Sequence, residues 1–306
     1  MSYIFDVFPI RPQPQPLEAL SSYLSRLAAA NSIRASCTFL NWCLPNVVRT
    51  AHNITDIFMK DWDGLPSASA LPIADLQAMT LFNIGLWFGR PYCTASNNPL
   101  KNCVIRHFRY CPRCLAEQGY ASLLWRLKPL VGCARHNIML HDTCPHCAQR
   151  LLAMRTTPLD RCPKCGADLC DTPTQALCVD DIALARVRTA DLCALLQTPV
   201  PGSLNISWQA IREAKGITPA EMARALHCPQ AWIKSMEHGA RPLNLHHLFQ
   251  YCDRLGVSIR DILLPETVQS AERDVITRAT AASQRAMETD AARYEAQLLD
   301  HVPMLS

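Results

Sequence analysis

Eight cysteine and histidine residues between positions 111 and 165 form four pairs with one common spacing. Two residues separate the partners of each pair, and in three pairs the first cysteine is followed by proline. This spacing lets both side chains of a tight turn reach the same tetrahedral ion, and proline presets the backbone of that turn. Four such pairs indicate metal binding rather than buried thiols or a single redox motif. The pairs are Cys111 and Cys114, Cys133 and His136, Cys144 and Cys147, and Cys162 and Cys165.

Taken in sequence order, the four pairs predict two zinc ions. The insert between the two pairs has 18 residues in the first site and 14 in the second, and both lengths suit a zinc ribbon or finger. Each site has four good ligands and no open position for water, so we expect structural rather than catalytic zinc. Three further residues close by are expected to be bystanders: Cys170, His141 and His146.

The region around these pairs has a local excess of positive charge. Eleven Lys or Arg residues stand against three acids between positions 101 and 165, whereas the whole chain has a net charge of only +4. Arg126 and Lys128 lie between the pairs of the first site, where they are candidates for phosphate contact or simply part of a solvated face. We expect a small core over the metal from Tyr120, Leu124, Trp125, Leu127 and Leu130.

Composition describes an ordinary globular chain of two or three domains. It has 306 residues, of which 49% are hydrophobic and 18% charged. The start of the chain lacks the pattern of a signal peptide, in which an apolar segment follows a basic one. No apolar run is long enough to span a membrane. We therefore expect a cytoplasmic protein with reduced thiols.

Helical periodicity predicts a mainly α fold around the zinc module. Helices are expected at 18–30, 73–84 and 179–197, with shorter apolar segments at 37–44 and 53–59, a linker at 198–203 and a helical tail at 266–306. The predicted domains are an N-terminal helical domain (1–100), a tandem zinc module (101–172), a helix and linker (173–203), a helix-turn-helix domain (204–265) and the tail (266–306).

Residues 211–263 resemble the phage-repressor (XRE-like) type of helix-turn-helix. The matching residues are Thr218, Glu221, Ala223, Leu226, Ile233, Glu237, Gly239, Leu248, Leu255, Gly256 and Val257. Thr218 is expected to cap a helix that begins at Pro219, and a second helix is expected over 229–238.

This resemblance implies that the second helix enters the major groove of DNA. Gln230, Trp232 and Lys234 are then the candidate nucleic-acid contacts. The helix has no arginine, and His227 stands where a glycine is usual in the turn. Specific base reading, non-specific backbone contact, RNA contact and protein docking therefore all remain open.

Two runs together resemble the TniQ family of transposon target-selection proteins over about residues 9–170. One run includes Pro16, Glu18, Leu20, Ser22, Tyr23, Leu24, Arg26 and Leu27. The other begins at Tyr110, which is followed by CPRCLAEQGY, and it continues through the remaining ligand pairs. The resemblance implies a non-catalytic adaptor that holds structural zinc through the eight predicted ligands.

Such an adaptor couples target recognition to a TnsC- or TniB-like AAA+ ATPase, which recruits the transposase. The target side is DNA or a CRISPR effector complex with its guide RNA, and a homodimer is a further partner to test. The N-terminal helix with Leu20, Tyr23 and Arg26 belongs to the region that faces the ATPase in relatives. The alternative is a zinc-containing transcriptional regulator. An enzyme is disfavoured, since no P-loop or nucleophile motif is present.

Overall fold

The computed structural model describes residues 7–33, 56, 62, 64–89, 99–100, 102–105, 107–152, 158–197, 207–239 and 244–263. The described part is mainly helical, as predicted, with a single short hairpin. The expected segment at 37–44, the segment at 53–59 apart from Asp56, the linker at 198–203 and the tail at 266–306 lie outside these residues. Among the helices described, none has the length and apolar character needed to cross a bilayer.

In the described part of the chain, four helices precede the metal-binding region, and five follow the long helix that comes after it. The N-terminal helices are α1 (Leu20–Ala30), α2 (Leu65–Ser69), α3 (Ile73–Ala78) and α4 (Phe82–Trp87). The metal-binding region contains α5 (Pro112–Gln118), a 3-10 turn (Leu123–Arg126), β1 (Gly132–Cys133) and β2 (Ile138–Met139). Then follow α6 (Val179–Gln197), α7 (Trp208–Ala214), α8 (Pro219–Ala225), α9 (Gln230–Glu237), α10 (Leu245–Leu255) and α11 (Ile259–Leu263).

The single helix predicted over 73–84 is two helices, α3 and α4. Thr80 interrupts it, because its hydroxyl donates to the carbonyl of Gln77 at 2.8 Å and accepts from the backbone N–H of Phe82 at 3.2 Å. The N–H of Leu81 is diverted to the carbonyl of Asp56. Local side-chain bonds of this kind compete with the helical ladder, so the periodic apolar pattern continues through a break in the backbone.

The N-terminal helix α1 is the centre of the first core. Leu20, Tyr23, Leu24 and Leu27 have no exposed surface and pack with Trp62, Leu65, Leu76 and Met79. Leu20 and Tyr23 were candidate partner contacts. Their burial corrects that prediction, because both side chains belong to the core and have no exposed surface. Arg26 remains partly exposed, but its guanidinium pairs with Glu18 at 2.7 Å.

A buried carboxylate joins α1 to the metal-binding region. Glu18 is fully buried and accepts hydrogen bonds from the Ser22 hydroxyl and from Arg26. Burial raises the pKa of Glu18 above its usual range, although the Arg26 charge opposes this. Ser22 in turn accepts the backbone N–H of Ala121 at 2.9 Å, and Ala19 donates to the carbonyl of Ala121. The polar residues of the N-terminal run therefore hold two segments about 100 positions apart.

Helix α6 contacts the N-terminal region, the β1–β2 hairpin and α10. Just before it, residues 175–177 extend the β1–β2 hairpin, with Met139 donating to the Gln175 carbonyl and Leu177 to that of Asn137. At its C-terminal end, Trp87 Nε1 donates to the carbonyl of Leu195 and Asn83 Nδ2 to that of Leu196, each at 2.8 Å. These bonds satisfy carbonyls that a helix end leaves without an internal partner.

The middle of α6 is attached to the helix-turn-helix region through Arg188. This buried guanidinium pairs with Asp191 at 3.5 Å and with Asp253 of α10, and it lies 4.4 Å from the centre of the Phe249 ring. A second contact joins the first residue of α10 to the N-terminal part, since Leu245 N donates to Pro99 O at 2.8 Å. The helix-turn-helix region is thus packed against the rest of the chain, not only tethered to it.

Arg109 organises the segment between the two ligand pairs of the first cluster. It is buried and donates to the carbonyls of Trp125, Leu127 and Leu130 at 2.7, 2.5 and 2.6 Å. Burial lowers the pKa of this guanidinium to about 10. One planar fork thus satisfies three carbonyls of an irregular segment that has no ladder of its own.

Replacing Arg109 with methionine should lower the free energy of unfolding by about 3 kcal/mol, because three buried carbonyls lose their donor. Denaturant unfolding followed by tryptophan fluorescence, with zinc in excess, measures the change. Arg254→Met, at an exposed position, is the matched control and should cost less than about 0.5 kcal/mol. Equal losses in the two variants would contradict the role given to Arg109.

Candidate metal centres and nucleic-acid interface

The structure brings Cys111, Cys114, Cys133 and His136 into one cluster, in which all four ligand atoms lie within 4.8 Å of one another. Cys114 Sγ is 3.6 Å from Cys133 Sγ and 3.2 Å from His136 Nδ1. Two thiolates on a tetrahedral zinc ion with bonds of about 2.3 Å are separated by roughly 3.8 Å. This first cluster therefore has the size and donor chemistry that zinc requires.

Different local structures present the two halves of the first cluster. Cys111 is the N-cap of α5, where its sulfur accepts the backbone N–H of Cys114, and Pro112 occupies the first helical position. Cys133 ends β1, and His136 lies in the turn that leads to β2. A helix start and a hairpin turn, 18 residues apart in the chain, thereby converge on one point.

An outer partner fixes which nitrogen of His136 faces the sulfurs. Nε2 of His136 lies 2.9 Å from Glu117 Oε1, and the second oxygen of Glu117 pairs with Arg135 at 2.8 Å. Metal-bound histidines commonly bind a carboxylate through the other ring nitrogen, which sets the tautomer and the ring orientation. Sequence analysis missed Glu117, although its position three residues after Cys114 on α5 was a usable signal.

The sulfurs of the first cluster shift one another's pKa. Hydrogen bonds with Cys111 and Cys133 raise the pKa of Cys114, and the hydrogen bonds that Cys133 receives from Cys111 and Cys114 lower the pKa of Cys133. Crowded sulfurs thus concentrate negative charge at one point. Since zinc binds the thiolate form, these groups suit a divalent metal.

Cys144, Cys147, Cys162 and Cys165 form the second cluster, again with ligand atoms within 4.8 Å. Cys144 lies 3.7 Å from Cys165, and Cys147 lies 3.7 Å from Cys162, measured between sulfurs. Backbone N–H groups also support the sulfurs. Burial raises the pKa of Cys162, but the N–H groups of Cys165 and Lys164 outweigh it and bring the pKa to about 7.

The second cluster is built from the same turn used twice. Cys144 donates its N–H to the carbonyl of Gln149 and accepts from Ala148, and Cys162 does the same with Ala167 and Gly166, all at 2.9 Å. Ala148 and Gly166 occupy the equivalent position, with φ of +54° and +72°. Glycine adopts such angles freely, whereas alanine pays about 1 kcal/mol. The second turn therefore has the less strained sequence.

The two clusters differ in exposure. Three ligands of the first are buried and His136 is half-buried, whereas Cys165 of the second is exposed and Cys147 half-buried. None of the three neighbours expected to be bystanders belongs to either cluster. Cys170 donates its backbone N–H to Asp168, His141 lies against the Tyr110 ring, and His146 is exposed.

Arg126 is not available for nucleic acid, which corrects its prediction. Its side chain is 4% exposed, Nε lies 3.1 Å from Asp56 Oδ2, and NH1 donates to the carbonyl of His107. Asp56 also accepts the N–H and the hydroxyl of Ser21. A buried ion pair with Asp56, which also binds Ser21 of α1, therefore occupies this arginine. Lys128 is exposed and remains a candidate for phosphate contact.

Helices α8 and α9 form the predicted helix-turn-helix. Thr218 and Glu221 make a reciprocal capping box at the start of α8, and Pro219 is its first residue, as predicted. Helix α9 runs over Gln230–Glu237, slightly shorter than the expected 229–238. His227 adopts a φ of +50° in the turn, the left-handed conformation that explains why glycine is usual there.

A buried ion pair fixes α9 against α7 and α10. Arg212 binds both carboxylate oxygens of Glu237, at 2.6 and 2.9 Å, and the Tyr251 hydroxyl donates to the same carboxylate. Although burial raises it, the bond from Arg212 lowers the pKa of Glu237 overall. The bidentate pair holds the end of α9 opposite to the residues expected to face nucleic acid.

On α9 the predicted contacts have different accessibility. Gln230 and Lys234 are exposed and, four positions apart, share one face, whereas Trp232 is half-buried with its ring 4.5 Å from that of His247. Arg224 and His227 line a surface concavity beside Gln230. Neither residue was predicted as a nucleic-acid contact, because only the folded turn between α8 and α9 brings them beside Gln230.

Serine substitutions test the two metal clusters separately. Cys114→Ser and Cys162→Ser should each lower the zinc content from two ions per chain to about one, because a structural site loses most of its affinity with a thiolate ligand. Elemental analysis after gel filtration gives the stoichiometry. Cys170→Ser should keep both ions. A Cys114 or Cys162 variant that retained two zinc ions would show that the ligand assignment is wrong.

Two family models match separate parts of the chain. The TniQ family model matches residues 9–140 and therefore includes α1 and the first cluster but not the second. A helix-turn-helix model matches residues 209–262. Comparison with curated proteins yields no match. Residues 9–140 thus match the TniQ family model, and a helix-turn-helix domain lies C-terminal to that region.

Proposed function

We propose that this protein is a non-catalytic adaptor for DNA transposition, which couples recognition of a target to recruitment of an AAA+ ATPase and, through it, the transposase. The TniQ region supports the transposition role, and the helix-turn-helix domain supports DNA binding. The observation that supports this coupling is that helix α6 is bonded to both regions. One helix is capped by Trp87 and Asn83 of the TniQ region and paired through Arg188 with α10.

The target side of the proposal is the exposed face of α9. Gln230 can bond base edges or phosphate, and Lys234 adds a charge on the same face. Arg224 and His227 border this face and extend its donors toward the backbone. A single lysine on the helix favours backbone contact over extensive base reading. Two target-side partners are therefore open to the test: DNA itself and a CRISPR effector complex with its guide RNA.

The ATPase side of the proposal is the N-terminal strap, residues 7–16. Leu20 and Tyr23 are buried, but Val7 and Ile10 on the strap and nearby Ile73 expose large apolar side chains. Asn31 holds the strap in place, since its side chain accepts the N–H of Ile10 and donates to the Ile10 carbonyl. A fixed, exposed isoleucine is a suitable anchor for a protein partner.

In this proposal, zinc binding stabilises the fold and plays no part in docking a partner. Zinc holds the turns that carry the ligands, and each cluster offers four protein donors, so no coordination position is reserved for a substrate. The role of the zinc module is to fix the segment 120–126, against which α1 packs through Ala121.

A bridging assay tests the adaptor. Target DNA is immobilised, this protein is added, and capture of the AAA+ ATPase encoded beside it is measured. Lys234→Ala should weaken DNA binding about fivefold and reduce the salt slope by about one, because one phosphate contact is lost. Ile10→Asp should abolish ATPase capture while DNA affinity stays unchanged. Both variants should fail to bridge.

Lys164→Ala is the matched control for the lysine substitution, since Lys164 is exposed on the second cluster, away from α9. It should bridge like the unmodified protein. Tight binding to one short DNA palindrome with no capture of the ATPase would contradict the adaptor and favour a transcriptional regulator. Capture of the ATPase only with the effector complex present would keep the adaptor and move the target side from DNA to the guide complex.

A further inference from the structure

The sulfurs of the second cluster are more accessible to solvent than those of the first. Of the eight ligands, Cys165 alone is exposed, and Cys147 is half-buried. In the first cluster every cysteine is 5% exposed or less, and the most accessible ligand is the imidazole of His136. The susceptibility of a cysteine to oxidation follows its thiolate character and its exposure. An oxidant in solution therefore reaches a ligand sulfur in the second cluster before it reaches one in the first.

Sulfurs of the second cluster also lie in pairs that cross from one turn to the other. Cys144 is 3.7 Å from Cys165, and Cys147 is 3.7 Å from Cys162. Each pair joins the same two turns that a zinc ion would hold together. A disulfide bond is about 2.05 Å long, so each pair has roughly 1.7 Å to close, which is within the reach of side-chain rotation.

We propose that the second cluster is a site of reversible oxidation by hydroperoxides, in which disulfides between its two turns replace the zinc ion. Cys165 is the sulfur that reacts with the peroxide, because it is the exposed ligand. Cys144, buried and 3.7 Å away, is the thiolate that resolves the product. The inference concerns the ligands themselves and does not rest on the proposed adaptor role.

One hydrogen peroxide molecule is reduced for each disulfide formed. The Cys165 thiolate attacks one oxygen of the peroxide, the O–O bond breaks, and the sulfur becomes a sulfenic acid while hydroxide leaves. The Cys144 thiolate then attacks the Cys165 sulfur, so that the S–S bond forms and a second hydroxide leaves. Two protons from solvent convert both hydroxides to water. The two sulfurs have lost the two electrons that reduce the peroxide.

This first disulfide removes two of the four zinc ligands. Cys147 and Cys162 alone no longer form the closed tetrahedral set that a structural zinc site needs, so the ion leaves. The same two steps with a second peroxide then join Cys147 to Cys162, which are already 3.7 Å apart. Both disulfides link the two turns, so the oxidised cluster keeps the connection that zinc supplied.

Backbone bonds and packing that do not involve sulfur remain in place during this exchange. Cys144 donates its N–H to the carbonyl of Gln149, and Cys162 donates its N–H to that of Ala167. Leu151 and Leu169, which follow the two turns, are fully buried. The second module therefore has a structure that either zinc or two disulfides can stabilise.

The first cluster cannot make the same exchange. Its three sulfurs allow at most one disulfide, and the closest pair is Cys114 and Cys133 at 3.6 Å. Such a bond would leave Cys111 and His136 without a link to the rest of the cluster. Burial also protects these sulfurs from the oxidant. The two sites should therefore respond differently to the same peroxide.

Zinc release from the zinc-loaded full chain, followed with a colorimetric chelator during treatment with hydrogen peroxide, measures this difference. One of the two ions should be released about tenfold faster than the other, because only the second cluster has an exposed sulfur. Peptide mapping by mass spectrometry without reduction should find Cys144 linked to Cys165, and then Cys147 linked to Cys162. A dithiol reductant with added zinc should restore two ions per chain.

Histidine substitutions identify the reacting sulfur, because histidine keeps a zinc ligand but cannot form a disulfide. Cys165→His should slow release of the faster ion about tenfold, since the exposed sulfur is lost. Cys147→His is the matched control; it retains Cys165 and Cys144, and its release rate should stay within about twofold of that of the unmodified chain. Cys178→Ser removes an exposed thiol outside both clusters and should change nothing.

Equal release rates for the two ions, or earlier oxidation of the first cluster, would overturn the inference. Disulfides that join Cys170 or Cys178 to a ligand, with no link between the two turns, would overturn it as well. Should Cys165→His fail to retain its zinc, the mapped disulfides and the two release rates of the unmodified chain still decide the question.

Discussion

The convergence of four ligand pairs on two Cys/His clusters, each able to hold a metal ion, is the constraint on which the rest of this structure depends. The described residues between 107 and 177 contain two strands of two residues each, one α-helix of seven residues and one 3-10 turn, which is too little regular structure to be stable alone. Metal coordination contributes folding free energy on the order of ten kcal/mol per structural zinc. Since α1 packs on residues 120–126, the first cluster also stabilises the N-terminal core.

Hydrogen bonds and ion pairs between distant segments connect the metal-binding region to the N-terminal helix. Glu18, Ser22 and Arg26 connect α1 to Ala121, and Asp56 connects Ser21 to Arg126. These residues include several of the TniQ run, so the family pattern records a buried polar junction as well as a core. Helix α6 then extends the order to the helix-turn-helix domain. An adaptor benefits from this arrangement, because partners bound at its two ends are held at a fixed separation.

Residue spacing predicted the ligand pairs, the helix over 179–197 and the helix cap at Thr218, since each of these is a local pattern. Tertiary partners could not be predicted in that way. Arg126 was a candidate for phosphate contact or for a solvated face, but it is buried against Asp56, which is 70 positions away in the chain. Leu20 and Tyr23 share a helix face that is equally consistent with a core or an interface, and only packing decides between them.

Two other features could not be predicted from the sequence: the strained backbone of one turn and the second hydrogen-bond partner of a ligand. A positive φ at Ala148, the residue after Cys147, could not be predicted from the sequence. The structure shows that Ala148 occupies the same position in its turn as Gly166, the glycine after Cys165, does in the other turn. Likewise, Glu117 looks like an ordinary surface acid until His136 turns its Nε2 toward it. Both features follow from the geometry of a closed ligand set, which a linear pattern describes only as spacing.

X-ray absorption at the zinc edge of the purified chain tests the central claim most directly. Two closed centres with seven thiolates and one imidazole in total predict an average of about 3.5 sulfur and 0.5 nitrogen ligands per zinc, with Zn–S near 2.3 Å. Light oxygen or nitrogen ligands at two or more per zinc, or a coordination number above four, would mean open or differently composed sites and would contradict the account.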